Sequence, residues 1–280
     1  SLFQTLKEIP EAGPKNERYL PAILQMYGQR KLPVNVTTTD DPHEIRGINS
    51  QSELAEVKTI VRQRKNEELM ASGVTIEDPA TTYIDTDVTV EADTVIHPGV
   101  FLEGRTRVGA RCEIHSGSRI INSTLSDDVI INNHSVITDS AIEAKARVGP
   151  FAHIRPGSTV GESSRVGNFV ELKKTALGTG AKANHLSYLG DAVIGSNSNI
   201  GAGTITCNYD GVNKHQTTIG PEVFVGSGTE LVAPVTIGRG AYIGAGSCIT
   251  ENVPANALAL ARGRQVIKEA RSTKIRNKSE

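Results

Sequence analysis

The stretch NHLSYLGD, residues 184–191, contains a side chain suited to moving a proton at neutral pH. This side chain is His185, and an imidazole can gain and lose a proton near pH 7 without a large change in its surroundings. His185 is therefore a candidate general base. The alternative interpretation is a structural histidine, which is the more frequent role of an isolated histidine.

Two cations, Arg155 and Lys173, stand 18 residues apart in the sequence. If 18 residues make one full coil of the chain, the two side chains stack on the same side, about 4.8 Å apart. Like charges in that position repel each other unless an anion lies between them. A phosphate would supply the anion, with each charge-assisted hydrogen bond contributing about 1.5–3 kcal/mol. The alternative is a solvated ladder of basic side chains.

The coil length follows from a six-residue repeat of aliphatic residues. The repeating positions are Val90, Ile96, Leu102, Val108, Ile114, Ile120, Leu125, Ile131, Ile137, Ile142, Val148, Ile154, Val160, Val166, Leu172, Ile219, Val225, Leu231, Ile237, Ile243 and Ile249. A period of six fits neither a helix nor a long strand, but it fits a short strand followed by a tight corner. Three such sides make one coil. The pattern predicts an all-β solenoid, a parallel β-helix of hexapeptide repeats that resembles the left-handed type.

A helical arm is predicted before the repeats, at residues 50–73. Ser50 and Glu53 have the spacing of a capping box, and Gly73 is placed to end the helix. The earlier residues mix a helix near 19–27 with a strand in LPVNVTTT, residues 32–39. The sequence thus predicts a short α/β segment at 1–49, the arm at 50–73, the β-helix at 74–262 and a basic, poorly ordered tail at 263–280.

Composition excludes several classes of function. The formal net charge is −1, so no nucleic-acid footprint is expected. No apolar run is long enough for a membrane span. Three widely spaced cysteines, Cys112, Cys207 and Cys248, indicate free thiols and a reducing, cytoplasmic setting.

Two further features could carry function. Residues 202–218, AGTITCNYDGVNKHQTT, interrupt the repeat and are either a binding excursion or a surface loop without a role. His97 and His115 are also one coil apart, as in hexapeptide β-helices of the γ-carbonic anhydrase type, which bind zinc through three histidines. His134 and His153 fall outside that column, so we expect stacked surface histidines and no zinc.

Five motifs carry a family resemblance: RPG, VGNFVELKK, HLSYLGD, NIGAGTITCNYDG and VFVGSGTELVAPVTIG. They resemble the acetyltransferase half of bacterial bifunctional enzymes that are N-acetylglucosamine-1-phosphate uridyltransferases and glucosamine-1-phosphate acetyltransferases. The likeness covers residues 49–262. It implies transfer of an acetyl group from acetyl-CoA to the 2-amino group of glucosamine 1-phosphate, on the route to UDP-N-acetylglucosamine for cell-wall precursors. It also implies a homotrimer with its sites between subunits.

The resemblance assigns roles to individual residues. It implies that His185 is the general base and that Arg155 and Lys173 hold the sugar phosphate. It places Tyr188, Asn199, Glu171 and Lys214 at the sugar substrate, with Lys214 reaching a neighbouring subunit's site. It places Ala202, Asn208, Tyr209, Ser227, Ala245 and Arg262 at acetyl-CoA, with a backbone N–H near Ala202 as an oxyanion donor.

The resemblance also explains residues 1–49 as the end of a uridyltransferase domain, in which Asn49 matches a Mg²⁺-binding asparagine. The glycine-rich loop that opens such a domain is absent from this sequence. We therefore expect a fragment that lacks most of this domain and its uridyltransferase activity. Two alternatives to the acetyltransferase remain. One is another hexapeptide-repeat acyltransferase, acting on serine or a UDP-sugar, and the other is a non-catalytic β-helix used for trimerisation.

Overall fold

A computed structural model describes residues 2–12 and 14–272 of the chain. It divides the chain into two compact units, residues 1–57 and 58–280, with the boundary inside a long helix. The four functional segments predicted from the sequence remain predictions. Part of the predicted tail, residues 273–280, lies outside the described residues.

The first unit contains helices α1 (Leu2–Lys7) and α2 (Ala22–Gln29) and a 3₁₀ helix (Pro42–Ile45). The helix predicted near 19–27 is present, but the strand predicted at 32–39 is not, and those residues have no regular structure. Val36 there is 83% exposed. A β-branched segment without a partner strand or a buried face gains too little from the extended form to become a strand.

Helix α3 (Gln51–Ala71) begins with the predicted capping box. The Ser50 hydroxyl accepts the Glu53 N–H at 3.2 Å, and the Glu53 carboxylate accepts the Ser50 N–H at 3.1 Å. These bonds satisfy two backbone donors that the first helical turn leaves unpaired. Gly73, at φ +97°, ends the helix in a conformation that suits glycine.

The C-terminal part of α3 packs on the first coil of the β-helix. Asn66 is fully buried, and its side-chain amide donates to the carbonyls of Pro79, at 3.0 Å, and Thr82, at 3.2 Å. Leu69 joins the apolar core beneath it. This end of α3 therefore covers apolar surface that the first coil would otherwise expose to water.

The β-helix consists of short strands in three parallel sheets. Sheet 1 contains β1 (Thr75–Ile76), β4 (Val95–Ile96), β7 (Glu113–Ile114), β10 (Ile130–Ile131), β13 (Arg147–Val148), β16 (Arg165–Asn168), β19 (Lys182–His185), β22 (Asn199–Ile200), β25 (Phe224–Val225), β28 (Tyr242–Ile243) and β30 (Leu258–Ala259). Sheet 2 contains β2 (Tyr83–Ile84), β5 (Phe101–Glu103), β8 (Arg119–Ile121), β11 (Val136–Thr138), β14 (His153–Ile154), β17 (Glu171–Lys173), β20 (Tyr188–Gly190), β23 (Ile205–Cys207), β26 (Glu230–Val232) and β29 (Cys248–Ile249). Sheet 3 contains β3 (Thr89–Val90), β6 (Arg107–Val108), β9 (Thr124–Leu125), β12 (Ala141–Ile142), β15 (Thr159–Val160), β18 (Ala176–Leu177), β21 (Ala192–Ile194), β24 (Thr217–Ile219) and β27 (Val235–Ile237).

The strand register places each inward aliphatic side chain on the inward aliphatic side chain of the preceding coil. Leu172, for example, stacks on Ile154. All the aliphatic positions of the predicted repeat are buried, which confirms the parallel β-helix and its core. Most coils advance the register by 17 or 18 residues, so residues separated by those intervals are neighbours on adjacent coils.

The structure corrects the predicted interruptions of the repeat. The inward positions continue through Leu177, Ala183, Leu189, Ile194, Ile200 and Thr206, all of which are buried. NHLSYLGD is thus part of a regular coil, since β19 and β20 run through it. The excursion is also shorter than predicted, because Ile205–Cys207 form β23 and only residues 208–216 leave the coil.

Replacing an inward isoleucine tests the core. Ile137→Ala removes a side chain that is 0% exposed, and we expect it to lower the free energy of unfolding by about 2–5 kcal/mol. The matched control is Ile205→Ala, since Ile205 is 43% exposed on the outer face of the same sheet, and we expect a cost below about 1 kcal/mol. Denaturant unfolding followed by circular dichroism measures both. Equal costs would contradict the assignment of inward and outward faces.

Candidate functional site

His185 lies at the end of β19, and Asn168 lies beside it on the preceding coil. The ring Nδ1 of His185 is 2.8 Å from the Asn168 side-chain oxygen. An amide oxygen only accepts, so Nδ1 carries the proton and Nε2 keeps its lone pair. This arrangement fixes the tautomer that a general base requires. Sequence reasoning missed Asn168, although its position 17 residues before His185 could have identified it.

A column of small residues, which we call the corner column, continues from His185 along the corner between sheets 1 and 2. The register of β19, β22, β25 and β28 places Ala202, Ser227 and Ala245 on successive coils beyond His185. Backbone bonds connect these corners, from Gly228 N–H to the Ala202 carbonyl at 2.7 Å and from Gly246 N–H to the Ser227 carbonyl at 2.8 Å.

Arg262 ends this column, because its guanidinium donates to the Ala245 carbonyl at 2.7 Å. Ser227 and Ala245 are exposed. Side chains this small leave room for a ligand to lie against the backbone. The structure thus aligns four of the six residues that the resemblance assigns to acetyl-CoA: Ala202, Ser227, Ala245 and Arg262.

The two predicted phosphate ligands lie on sheet 2 and each contacts a carboxylate. Arg155 donates to Glu171 at 2.7 Å, and the Lys173 ammonium is 3.6 Å from Asp191. The hydrogen bond that Arg155 donates to Glu171 raises the pKa of Arg155. Contrary to the expectation from the sequence, these two cations do not need a bound anion to offset their repulsion, because the chain supplies its own carboxylates.

The excursion adds a third cation, Lys214, to Arg155 and Lys173, and we call these three side chains the basic cluster. The Lys214 and Lys173 side chains can share a hydrogen bond only when one amine is neutral, and this interaction lowers the pKa of Lys214 and raises that of Lys173. Repulsion from the Lys173 charge adds to the first shift, and attraction to Asp191 adds to the second. Lys214 also lies 5.9 Å from the centroid of the Tyr209 ring. Lys214 thus lies beside Lys173 of its own chain.

Tyr188 and Asn208 complete the surface around Lys173. Tyr188 is in register with Glu171 on the adjacent strand. A Cβ on Gly190 would lie 2.5 Å from the Tyr188 hydroxyl and 2.8 Å from the Asn208 amide nitrogen, so a larger residue there would displace these two side chains. The Asn208 amide donates to Asp191 at 2.5 Å. Asn208 therefore lies with the basic cluster rather than in the corner column.

Two more predicted site residues lie outside the column of small residues. Tyr209 is in the excursion, where its hydroxyl donates to the Gly211 carbonyl at 2.5 Å. Asn199 is on sheet 1, in register with Lys182 and Phe224. The structure does not bring either residue into the corner column.

Asn49 belongs to the first unit and does not form a magnesium site with the residues around it. Its backbone N–H donates to the Glu53 carboxylate at 2.6 Å, and that bond lowers the pKa of Glu53. In the described part of the chain, His97, Glu113 and His115 form the one cluster of three or more His, Cys, Asp or Glu ligands. The residues present thus fit a helix cap and not a metal site.

Cys207 is close to the excursion but is a poor nucleophile. Burial raises the pKa of its thiol, and the thiolate is the reactive form. Cys112 and Cys248 are free as well. Within residues 2–12 and 14–272, no helix is both long and apolar enough to cross a membrane.

These features define a β-helix protein of the hexapeptide-repeat class. Residues 216–251 match the family described as bacterial transferase hexapeptide (six repeats), and residues 82–163 match the GMPPB C-terminal domain. The left-handed parallel β-helix predicted from the repeat is the fold of this class. A solved structure of LpxA from Acinetobacter baumannii overlaps with a TM-score of 0.44 at 16% identity, over 73% of this chain and 78% of that one.

Nearly the whole chain aligns with bifunctional GlmU proteins, which confirms the resemblance found from the motifs. It is 50% identical to the protein of Koribacter versatilis over 98% of this chain and 59% of that protein. It is 51% identical to the protein of Thermotoga petrophila over 96% of this chain and 59% of that protein. The chain thus spans about three-fifths of the length of these relatives.

The contact between Lys173 and Lys214 can be tested by titration. In Lys173→Gln we expect the pKa of Lys214 to rise, because a neighbouring positive charge no longer disfavours its ammonium form. NMR of ¹³C-dimethylated lysines measures the midpoint. Lys182→Gln, which removes a lysine outside the cluster, should leave it unchanged. An unmoved or lower midpoint in Lys173→Gln would contradict the contact.

Proposed function

We propose that the chain transfers an acetyl group from acetyl-CoA to the 2-amino group of glucosamine 1-phosphate. The observation that carries the proposal is the His185–Asn168 pair, which leaves an unprotonated Nε2 at one end of a column of small residues. The basic cluster on the next sheet and the likeness to GlmU proteins support the same function.

In this mechanism His185 activates the amine. An amine that is protonated cannot attack a thioester, so a base must take its proton as the new amide bond forms. The amine nitrogen attacks the thioester carbonyl carbon while His185 Nε2 accepts its proton, and Nδ1–H donating to Asn168 stabilises the imidazolium. The C–S bond then breaks, and the departing CoA thiolate takes the proton from the imidazolium and leaves as the thiol. A general base in this position contributes about 10²–10⁴-fold in rate.

The corner column suits acetyl-CoA. We place its extended arm along Ala202, Ser227 and Ala245, with Arg262 near the far end. Among the described residues the Ala202 N–H has no hydrogen-bond acceptor, so it can donate to the oxyanion that develops on the thioester carbonyl. We include Asn208 and Tyr209 at this ligand on the strength of the resemblance.

The basic cluster suits the sugar phosphate. Arg155, Lys173 and Lys214 are accompanied by the carboxylates of Glu171 and Asp191, which leaves an excess of one positive charge. A guanidinium has five donors, so Arg155 can keep Glu171 and still bind phosphate oxygens. Tyr188 lies in register with Glu171, where it can contact the sugar. Asn199 is included as a sugar ligand from the resemblance.

We further propose that the active form is a cytoplasmic homotrimer with its sites between subunits and without uridyltransferase activity. The product would enter UDP-N-acetylglucosamine synthesis. Mg²⁺ would serve only the uridyltransferase reaction of a longer protein, since Asn49 alone does not form a site. Two alternatives are another hexapeptide acyltransferase and a trimerisation β-helix without activity. The acceptor preference and the turnover measured in the experiments below distinguish them from the proposed function.

Acceptor choice tests the substrate. We expect thiol release from acetyl-CoA on addition of glucosamine 1-phosphate and little release with glucosamine or serine, because only the first offers both an amine and a phosphate. Faster thiol release with serine or a UDP-sugar than with glucosamine 1-phosphate would identify another acyltransferase. No release with any acceptor from the folded protein would favour the non-catalytic β-helix.

Substitution tests the base. His185→Ala should lower turnover by at least about 10²-fold without changing the unfolding transition. His153→Ala, an exposed histidine on sheet 2, is the matched control and should retain full turnover. Asn168→Ala should reduce turnover less than His185→Ala and alter its pH profile, because the tautomer is no longer fixed. Full activity in His185→Ala would reject this mechanism.

A further inference from the structure

A second cluster of ligating side chains lies in the early coils, apart from the proposed acetyl-transfer site. His97 and His115 directly follow β4 and β7 and continue their register, and Glu113 lies two residues before His115 on the same outward face. Lys182 is the first residue of β19, the strand that ends at His185. Along sheet 1, Glu113 is four coils from Lys182, a separation of about 19 Å at 4.8 Å per coil. The cluster is thus independent of the His185 site.

The ring nitrogens of this cluster lie close to carboxylate oxygens. His97 Nδ1 is 2.9 Å from Glu77 and its Nε2 is 3.2 Å from Glu113. His115 Nε2 is 3.4 Å from the same Glu113 oxygen. A neutral imidazole has one N–H, and a carboxylate only accepts. Both ring nitrogens of His97 and one of His115 lie beside carboxylate oxygens.

The ligand atoms of His97, Glu113 and His115 are close enough together to hold one divalent metal ion. We propose that His97 Nε2, His115 Nε2 and one oxygen of Glu113 bind Zn²⁺. Bonds of about 2.0–2.1 Å in a tetrahedral site separate ligand atoms by about 3.3–3.4 Å. The two nitrogen-to-oxygen distances, 3.2 and 3.4 Å, match that separation. Two imidazoles and a carboxylate are a ligand set that suits zinc.

Glu77 supplies the outer contact that such a site needs. Metal-bound histidines usually donate their other ring N–H to a carboxylate or carbonyl, which fixes the ring and strengthens the ligand. Glu77 stands at Nδ1 of His97 in that position. The expectation of no zinc, made from the sequence, counted histidines alone and left out both glutamates.

Binding also requires a movement of the rings. The imidazoles of His97 and His115 are stacked, with centroids 4.5 Å apart and planes 8° from parallel. Parallel rings direct their nitrogens side by side, so a shared ion tilts the rings towards each other. Both side chains are partly exposed, at 21% and 26%, which permits the tilt and leaves a fourth position open to water.

Calorimetric titration of the full chain with ZnCl₂ tests the site. We expect one equivalent to bind, and binding to weaken at least about 10-fold in Glu113→Gln and His115→Asn, which each lose a ligand. Glu77→Gln should weaken it by about 10–100-fold, as the loss of an outer-shell carboxylate does. His153→Asn removes a histidine outside the cluster and should bind as the unsubstituted chain does.

Histidine NMR separates this site from zinc bound elsewhere. Zn²⁺ should shift the ring signals of His97 and His115 and leave those of His134 in place. Glu113→Gln keeps the side-chain volume, so its unfolding transition without metal should match that of the unsubstituted chain. Zinc that binds equally well to Glu113→Gln and His115→Asn, or no binding at millimolar zinc, would overturn the proposal.

Discussion

The register of one coil on the next is the constraint on which the other features of this β-helix depend. Each inward aliphatic packs on its counterpart one coil away, and a slip by one residue would turn every inward side chain to the solvent. Apolar burial thus fixes which outward residues are neighbours. Asn168 with His185, Glu171 with Tyr188, and His97 with His115 are all pairs created by this register.

Because the interior requires one apolar residue per side, the outward positions are free to carry chemistry in columns. The column at the corner beyond His185 consists of small side chains, whereas the column on sheet 2 consists of charged side chains. The corner glycines at 203, 228 and 246 adopt φ near +70°, which keeps the turn tight without adding a side chain to the surface. A groove and a charged patch can therefore lie on adjacent faces of one rigid coil.

The sequence predicted what depends on periodicity and missed what depends on side-chain direction. Six-residue spacing was sufficient for the core, the coil length and the adjacency of Arg155 and Lys173. It could not show that Glu171 and Asp191 turn towards these cations, since rotamers are set by the packed structure. The aliphatic repeat could not be followed between Leu172 and Ile219 because Ala183 and Thr206, which occupy inward positions there, are small or polar.

The carboxylates of the basic cluster bear on how it can bind a phosphate. Arg155 and Lys173 are held by Glu171 and Asp191, so their side chains are ordered before a ligand arrives and less conformational entropy is lost on binding. Lys214 differs, because its neighbour Lys173 lowers its pKa and so favours the neutral amine. An anion that binds between the two lysines favours the charged form of both. If the sugar phosphate of the proposed reaction binds there at a pH above the lowered pKa of Lys214, its binding is therefore coupled to uptake of a proton by Lys214.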